Sequence, residues 1–304
     1  MRTLSLQIDE TLAGRRVKSL LQYRLHIPVG MIARIKLRPA GICLNGQRCR
    51  TVDQVKAGDI LCVEVGDIPE ESGITPMEYP LSILYEDEDL LIVDKPAFMA
   101  THGKAQKGDI TLANALAAYW GTDRAFHPVN RLDRGTSGLM AVAKSGFAHE
   151  RLRNILHTED FCREYLAIVA GTFEQTEGSI TLPMKKDDSA KNKFCVSPDG
   201  MDARTDYKVL CRSATHSLVR ARLWTGRTHQ IRVHLAAIGH PLLGDRVYGS
   251  ASERIDRPAL HSFSLRLRQP ITGEQISLTS PLPADMLSAA RHCGFAPEEL
   301  YGNL

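Results

Sequence analysis

The sequence predicts an α+β chain in two parts, a small basic head and a larger body on a mixed, largely antiparallel central sheet flanked by helices. Three observations predict it. Apolar runs of strand length outnumber helical periodicities and do not alternate with them, as a doubly wound fold would require. The charge changes abruptly: residues 1–65 carry 11 Lys/Arg against 5 Asp/Glu, and 66–90 carry 8 acidic residues and no basic one. Residues 66–80, GDIPEESGITPMEYP, have the Pro, Gly, Ser and acidic content of a linker. The expected division is a head at 1–65, an acidic linker at 66–80 and a body at 81–304.

Within the head, Val17, Leu20, Leu21 and Leu25 fall at i, i+3, i+4 and i+8, which predicts an amphipathic helix over 10–25. A second helix is expected over 29–37, with Ile32 and Ile35 inward, stopped by the Pro39 region. GICLNGQRC reads as a hairpin around Asn45-Gly46, and DILCVEV at 59–65 as the closing strand. Arg34, Lys36, Arg38, Arg48 and Arg50 are expected on the surface.

The body opens with LSILYEDEDLLIVDKP, two apolar runs split by an acidic turn at Glu86–Asp89. Thr111 is a candidate N-cap for a helix over 111–120, and Ser145 for one burying Ala148, Leu152, Ile155 and Leu156. MAVAK, REYLAIVAG at 163–171 and HSLVRARLW at 216–224 read as strands; the last alternates Val219, Ala221 and Leu223 with Arg220 and Arg222. THQIRVHLAAIG at 228–239 predicts a helix capped by Thr228 and ended by Gly239, with Ile231, Leu235 and Ile238 inward.

At 304 residues the chain can bury a sizeable core. MRTLSLQIDE lacks the apolar stretch of a signal peptide, and no run approaches the roughly 18 apolar residues of a spanning helix. A cytoplasmic protein is expected, and a monomer. Seven cysteines, none in a C-x-x-C pair, argue against a disulfide framework and a zinc ribbon. The basic head and mildly basic body suit an anionic partner that touches both.

The chemistry concentrates at NRLDRGTSGL, residues 130–139, where Asp133 stands between Arg131 and Arg134. Guanidinium neighbours keep a carboxylate ionised and fix its orientation. Such an aspartate can serve as nucleophile, base or structural pair. Tyr165 lies in REYLAIVAG, and TGRTHQIRVH brings Arg227, Arg232, His229 and His234. The two histidines are five apart and do not share a helix face as a metal pair would. No dinucleotide or phosphate-loop glycine pattern appears, and Ser137 is not in a nucleophile elbow. No metal or other cofactor is expected.

These motifs, in this order, resemble the RluA-type pseudouridine synthases: ILYEDEDLLIVDKPAFMATHG at 83–103, NRLDRGTSGLMAVAK, REYLAIVAG, TGRTHQIRVHLAAIGHPLLGDRVYG at 225–249 and LHSFSLRLRQPITGE at 260–274. Residues 1–65 resemble the S4 RNA-binding module. The resemblance implies an enzyme that flips a uridine out of RNA, cleaves its N1–C1′ bond and rejoins the base through C5, with no cofactor. It implies Asp133 as the catalytic carboxylate, Tyr165 packed on the uracil, Arg232 paired with Asp133, and Arg131 filling the gap the base leaves. Expected RNA contacts include Asn130, Arg134, Thr136, Arg227 and Ile231, with Lys185 and Lys186 in a basic loop at 183–194 and Arg34, Lys36 and Arg38 on the head. Asn130 replaces the family's usual histidine, and Gly135 a common acidic residue. Large-subunit ribosomal RNA is the favoured partner. Transfer RNA, a non-catalytic RNA-binding assembly factor, and a nucleoside or glycoside hydrolase are the alternatives.

Overall fold

Asn45 (φ 50°) and Gly46 (φ 77°) both adopt left-handed backbone, the requirement of a two-residue hairpin turn. In the computed structural model, which describes residues 2–67, 72–103, 109–122, 124–190 and 192–296, this turn joins β2 (Ile42–Leu44) to β3 (Gln47–Arg48). Part of the expected linker, 68–71, lies outside the described residues. With β1 (Thr3–Gln7) and β4 (Ile60–Glu64) the hairpin forms a four-stranded antiparallel sheet in the order β1-β4-β2-β3. β1 has no counterpart in the sequence reading, although LSLQ alternates as an edge strand should.

The helix expected over 10–25 is much shorter. Residues 11–14 form a turn, α1 is only Val17–Ser19, and Leu20–Arg24 continues as one π-helical turn. The apolar spacing still succeeds where packing decides, because Val17, Leu20 and Leu21 are buried. α2 (Val29–Ile35) buries Ile32 and Ile35 as expected. These side chains pack with Leu61 and Val63, and Phe147 of the body inserts among them. Arg2 bridges the two parts as well, pairing with Glu88 and with Asp89 at 3.4 Å.

The body sheet runs β10 (Glu177–Ile180), β13 (Thr205–Arg212), β14 (His216–Leu223), β9 (Phe161–Ala170), β15 (Leu260–Arg268), β8 (Ser137–Ala143), β6 (Leu90–Lys95), β5 (Ser82–Glu86). β16 (Gln275–Thr279) adds to β15, and β7 (His127–Pro128) to β8. Among the described pairings only β15 with β8 is parallel. β6 and β8 are buried on both faces and read as continuous apolar runs for that reason. Leu91 and Val93 face one layer with α3 (Leu112–Trp120), while Leu90 and Ile92 face the other with α4 (Gly146–Ile155). The two expected caps form: Asn114 N donates to Thr111 Oγ1 at 3.2 Å, and Ala148 N to Ser145 Oγ at 3.2 Å. α6 (Ala284–His292) covers Leu166, Ile168 and Leu218. Among the described residues no helix is long and apolar enough to cross a membrane.

Two elements depart from the sequence reading near the cleft. α5 spans Gln230–Ala237, preceded by His229 in left-handed backbone (φ 59°), so Thr228 does not cap it. Lys185 and Lys186 lie on β11 (Met184–Lys186), paired with β12 (Phe194–Val196) as a two-stranded ribbon rather than an open loop. Lys191 of that segment lies outside the described residues.

Candidate active site

Asp133 sits in the short connection from β7 to β8, and backbone contacts fix that connection. Thr136 N donates to Asp133 O at 3.0 Å. Thr101 Oγ1 donates to Leu132 O at 2.9 Å, and Asn130 Oδ1 accepts from Ala141 N at 2.9 Å. Arg257 Nη1 donates to Gly135 O at 3.0 Å. Gly138 (φ 111°) lies so close to β15 that a Cβ would stand 2.2 Å from Ser262 O. The small residues after Asp133 thus allow a tight turn to enter the parallel pairing of β8 with β15.

The clamp suggested by the flanking arginines does not form. Arg134 turns away and holds Asp109 through Nη1 and Nη2 at 2.7 and 3.1 Å. Arg131 is exposed at the rim of the cleft. The guanidinium that meets Asp133 is Arg232, ninety-nine residues on, whose Nη1 lies 3.5 Å from Asp133 Oδ2. Its other edge engages Asp245, Nε to Oδ2 at 2.7 Å and Nη2 to Oδ1 at 2.8 Å. Burial alone would raise the Asp245 carboxyl; the Arg232 guanidinium and the amides of Val247 and Tyr248 hold it below the usual range.

His229 completes this side. Its Nε2 is 3.9 Å from Asp133 Oδ2, and its Nδ1 is 2.9 Å from the Tyr248 hydroxyl. Phe194 N donates to the same hydroxyl at 2.9 Å, linking the basic ribbon to the site. Burial lowers the His229 pKa, with Asp133 opposing, which favours a neutral imidazole. His234 points elsewhere, bonded to Thr205 Oγ1 and Leu182 O at 2.9 Å each.

A pocket of about 50 Å³ is enclosed by Arg131, Asp133, Thr136, Tyr165, Ile231 and Arg232, with Arg227 and His229 also on its wall. It shares Arg131, Asp133, Tyr165 and Arg227 with a larger cleft of about 550 Å³, lined also by Asn130, Arg134, His157 and Arg163. Tyr165 comes from β9, paired with Ser262 and Ala221, and is 3% exposed. Burial holds its phenol above the ordinary value, so it enters the pocket neutral. Nine expected residues therefore meet here: Asn130, Arg131, Asp133, Arg134, Thr136, Tyr165, Arg227, Ile231 and Arg232.

The remaining expected contacts lie elsewhere. Lys185 and Lys186 are exposed on the ribbon, and Arg34 and Lys36 on the head. Arg38 is not a free surface cation; its Nη1 donates to Gly66 O at 2.8 Å and Glu64 O at 3.3 Å. Asp245, Tyr248, Arg163 and Lys95 escaped sequence reasoning. For the first two a signal existed, since GDRVYG follows the arginine motif closely.

A mainly antiparallel sheet that presents a carboxylate, a phenol and an anchored guanidinium in a basic cleft suits an enzyme acting on nucleic acid. The comparisons with known proteins narrow this class. Residues 89–237 match the model of the RNA pseudouridylate synthase family. The chain is 38% identical over 265 residues to ribosomal large subunit pseudouridine synthase D of Escherichia coli (strain K12), covering 81% of this chain and 80% of that one. It is 35% identical to the uncharacterized RNA pseudouridine synthase YjbO of Bacillus subtilis (strain 168), covering 86% and 94% respectively. The solved structure of human RNA pseudouridylate synthase domain containing 1 superposes with a TM-score of 0.56 at 28% identity, over 67% of this chain and 86% of that one. The chain belongs to the RNA pseudouridine synthase family and is an isomerase acting on RNA.

Proposed function

We propose that the enzyme converts uridine to pseudouridine in large-subunit ribosomal RNA, with Asp133 as the carboxylate that assists cleavage of the glycosidic bond. The observation that carries the site assignment is the approach of Arg232 Nη1 to Asp133 Oδ2, 3.5 Å, in a pocket also walled by Tyr165. The similarity to a large-subunit enzyme of Escherichia coli supports the choice of RNA. On this reading the protein acts in the cytoplasm as a monomer.

The chemistry assigns each group a task. The target base leaves the RNA stack at a cost of a few kcal/mol, and Arg131 fills the space it vacates. The uracil packs against Tyr165 and Ile231. Asp133, beside Arg232, either bonds to the substrate or assists loss of the sugar 2′ proton as N1–C1′ breaks. The base turns and C5 bonds to C1′ as the bond to Asp133 breaks or, on the elimination route, as the 2′ proton returns, and the C5 proton passes to a positioned group or water. Arg34 and Lys36 on the S4-like head, with Lys185 and Lys186 on the ribbon, hold phosphates.

The test is incubation of large-subunit ribosomal RNA and transfer RNA with the wild type and with Asp133→Asn, followed by mapping of pseudouridine. Product in ribosomal RNA from the wild type alone is expected, with RNA binding retained by the variant. Product from both proteins would remove Asp133 from the chemistry, and product only in transfer RNA would redirect the substrate.

A further inference from the structure

Among the described residues of the body three guanidiniums are deeply buried: Arg232 at 6%, Arg257 at 2% and Arg163 at 3% exposure. Two are neutralised by a two-point carboxylate, Arg232 by Asp245 and Arg257 by Asp285. Arg163 is not. Its Nε is buried without a hydrogen-bond partner, and its Nη2 makes one long contact, 3.4 Å to Leu156 O. Among the described residues no carboxylate lies within ion-pair distance of it. Burying an uncompensated cation opposes folding, so a chain keeps one where a ligand supplies the counter-charge.

The position of Arg163 indicates that ligand. It lies on β9 two residues before Tyr165, on the same face of the strand, and both line the large cleft with Asp133. A Cβ on Gly226 would stand 3.2 Å from Arg163 Nη1, so this nitrogen lies against the cleft-lining loop of Gly226 and Arg227. The same cleft holds Arg131 and Arg227 and favours an anion. A uracil carbonyl is neutral and would leave the charge uncompensated. We infer that Arg163 is a phosphate-binding residue, taking a backbone phosphodiester of the substrate RNA beside the flipped nucleotide. This rests on the RNA-isomerase reading and adds a contact that neither the motif nor the pocket residues already assigned provide.

Binding of a uridine-containing stem–loop RNA to the full chain, measured against KCl concentration, tests it together with urea unfolding. Arg163→Met and Arg163→Gln should each weaken binding about tenfold and reduce the salt slope by about 0.7, the loss of one phosphate contact to single-stranded RNA. Arg163→Lys should keep the slope. Arg163→Met should unfold at the same or a higher urea concentration than the wild type, since it removes an unpaired buried charge. A lower unfolding midpoint in Arg163→Met, or an unchanged salt slope in Arg163→Gln, would overturn the proposal. The isotherms report binding whether or not the uridine is isomerised, so a failure of the isomerase reading, seen as wild-type protein that makes no pseudouridine, stays distinguishable.

Discussion

Arg232 presents its Nε–Nη2 edge to Asp245 at 2.7 and 2.8 Å and only Nη1 to Asp133, at 3.5 Å. The two-point pairing therefore belongs to Asp245, while Asp133, the proposed catalytic carboxylate, receives a single long contact from this guanidinium. That division leaves Asp133 beside a cation yet free to move toward a sugar or base. Asp245 is fully buried, so its partner is fixed in turn by Asp245's bonds to the amides of Val247 and Tyr248.

Replacing Asp245 with Asn keeps the shape and removes the charge that holds Arg232. The guanidinium is then free to turn its fork onto Asp133 and withdraw the carboxylate from substrate. A misplacement of this kind costs about 100-fold in rate. Single-turnover pseudouridine formation should fall by that order with RNA affinity nearly unchanged. Urea unfolding should show about 3–5 kcal/mol of lost stability, the consequence of breaking one side of a buried pair.

Tyr248 offers a subtler perturbation. Its hydroxyl accepts from Phe194 N at 2.9 Å and sits 2.9 Å from His229 Nδ1, so it orients an imidazole whose Nε2 faces Asp133. Tyr248→Phe deletes this link and leaves the ring in place over Arg232. One lost hydrogen bond of this sort lowers the single-turnover rate about tenfold. Because the phenol acts through His229, the double variant with His229→Gln should be no slower than His229→Gln alone. Multiplicative losses in the double-mutant cycle would show that the two side chains act separately.

Lys95 gives a pH signature. Its Nζ is buried and donates to Pro96 O at 2.9 Å and Met99 O at 2.8 Å. Burial pushes it down from 10.5 to about 7, against the attraction of Asp133. A neutral amine still has two protons, enough for both carbonyls. Between about 7 and 10.5 the unfolded chain binds the extra proton, so this group makes stability rise with pH. Lys95→Met should be more stable than the wild type near pH 6, and the difference should shrink toward pH 10. Thermal melts across that range, wild type minus variant, measure it; a difference independent of pH would contradict the buried-amine account.

Much of this was legible in the sequence because local chemistry wrote it there. Asn45-Gly46 demanded its turn, Thr111 and Ser145 capped their helices, and the alternation of Val219 and Ala221 with Arg220 and Arg222 fixed the faces of a strand. Asp133, Tyr165 and Arg232 were identifiable as a set only through the order of several motifs. What failed was decided by distant partners. Arg134 is two-point bonded to Asp109, twenty-five residues back, which proximity to Asp133 concealed. Thr228 is not the cap because His229, whose Nε2 lies 3.9 Å from Asp133 Oδ2, takes left-handed backbone just before the first turn of the helix. The helix expected over 10–25 was cut short because its polar first half makes a turn that hydrogen-bonds across to Val55.

Phe147 tests how the head is attached. It lies on α4 of the body, is fully buried, and packs among Val17, Leu21, Ile32 and Ile35 of the head. Residues 66–80 have the composition of a linker, and the core that Phe147 shares with the head should make the two parts unfold together. Truncating a buried Phe costs about 3–5 kcal/mol. In Phe147→Ala that loss should fall on the contact between head and body. Hydrogen exchange should then quicken across β1, α2 and β4 while β6 and β8 stay protected. If Arg34 and Lys36 hold phosphates as proposed, RNA binding should weaken, because they would no longer be held at a fixed distance from the cleft, and the single-turnover rate on saturating RNA should change little. Exchange that quickens equally throughout the body sheet would show instead that Phe147 belongs to the body core and that the head docks by other means.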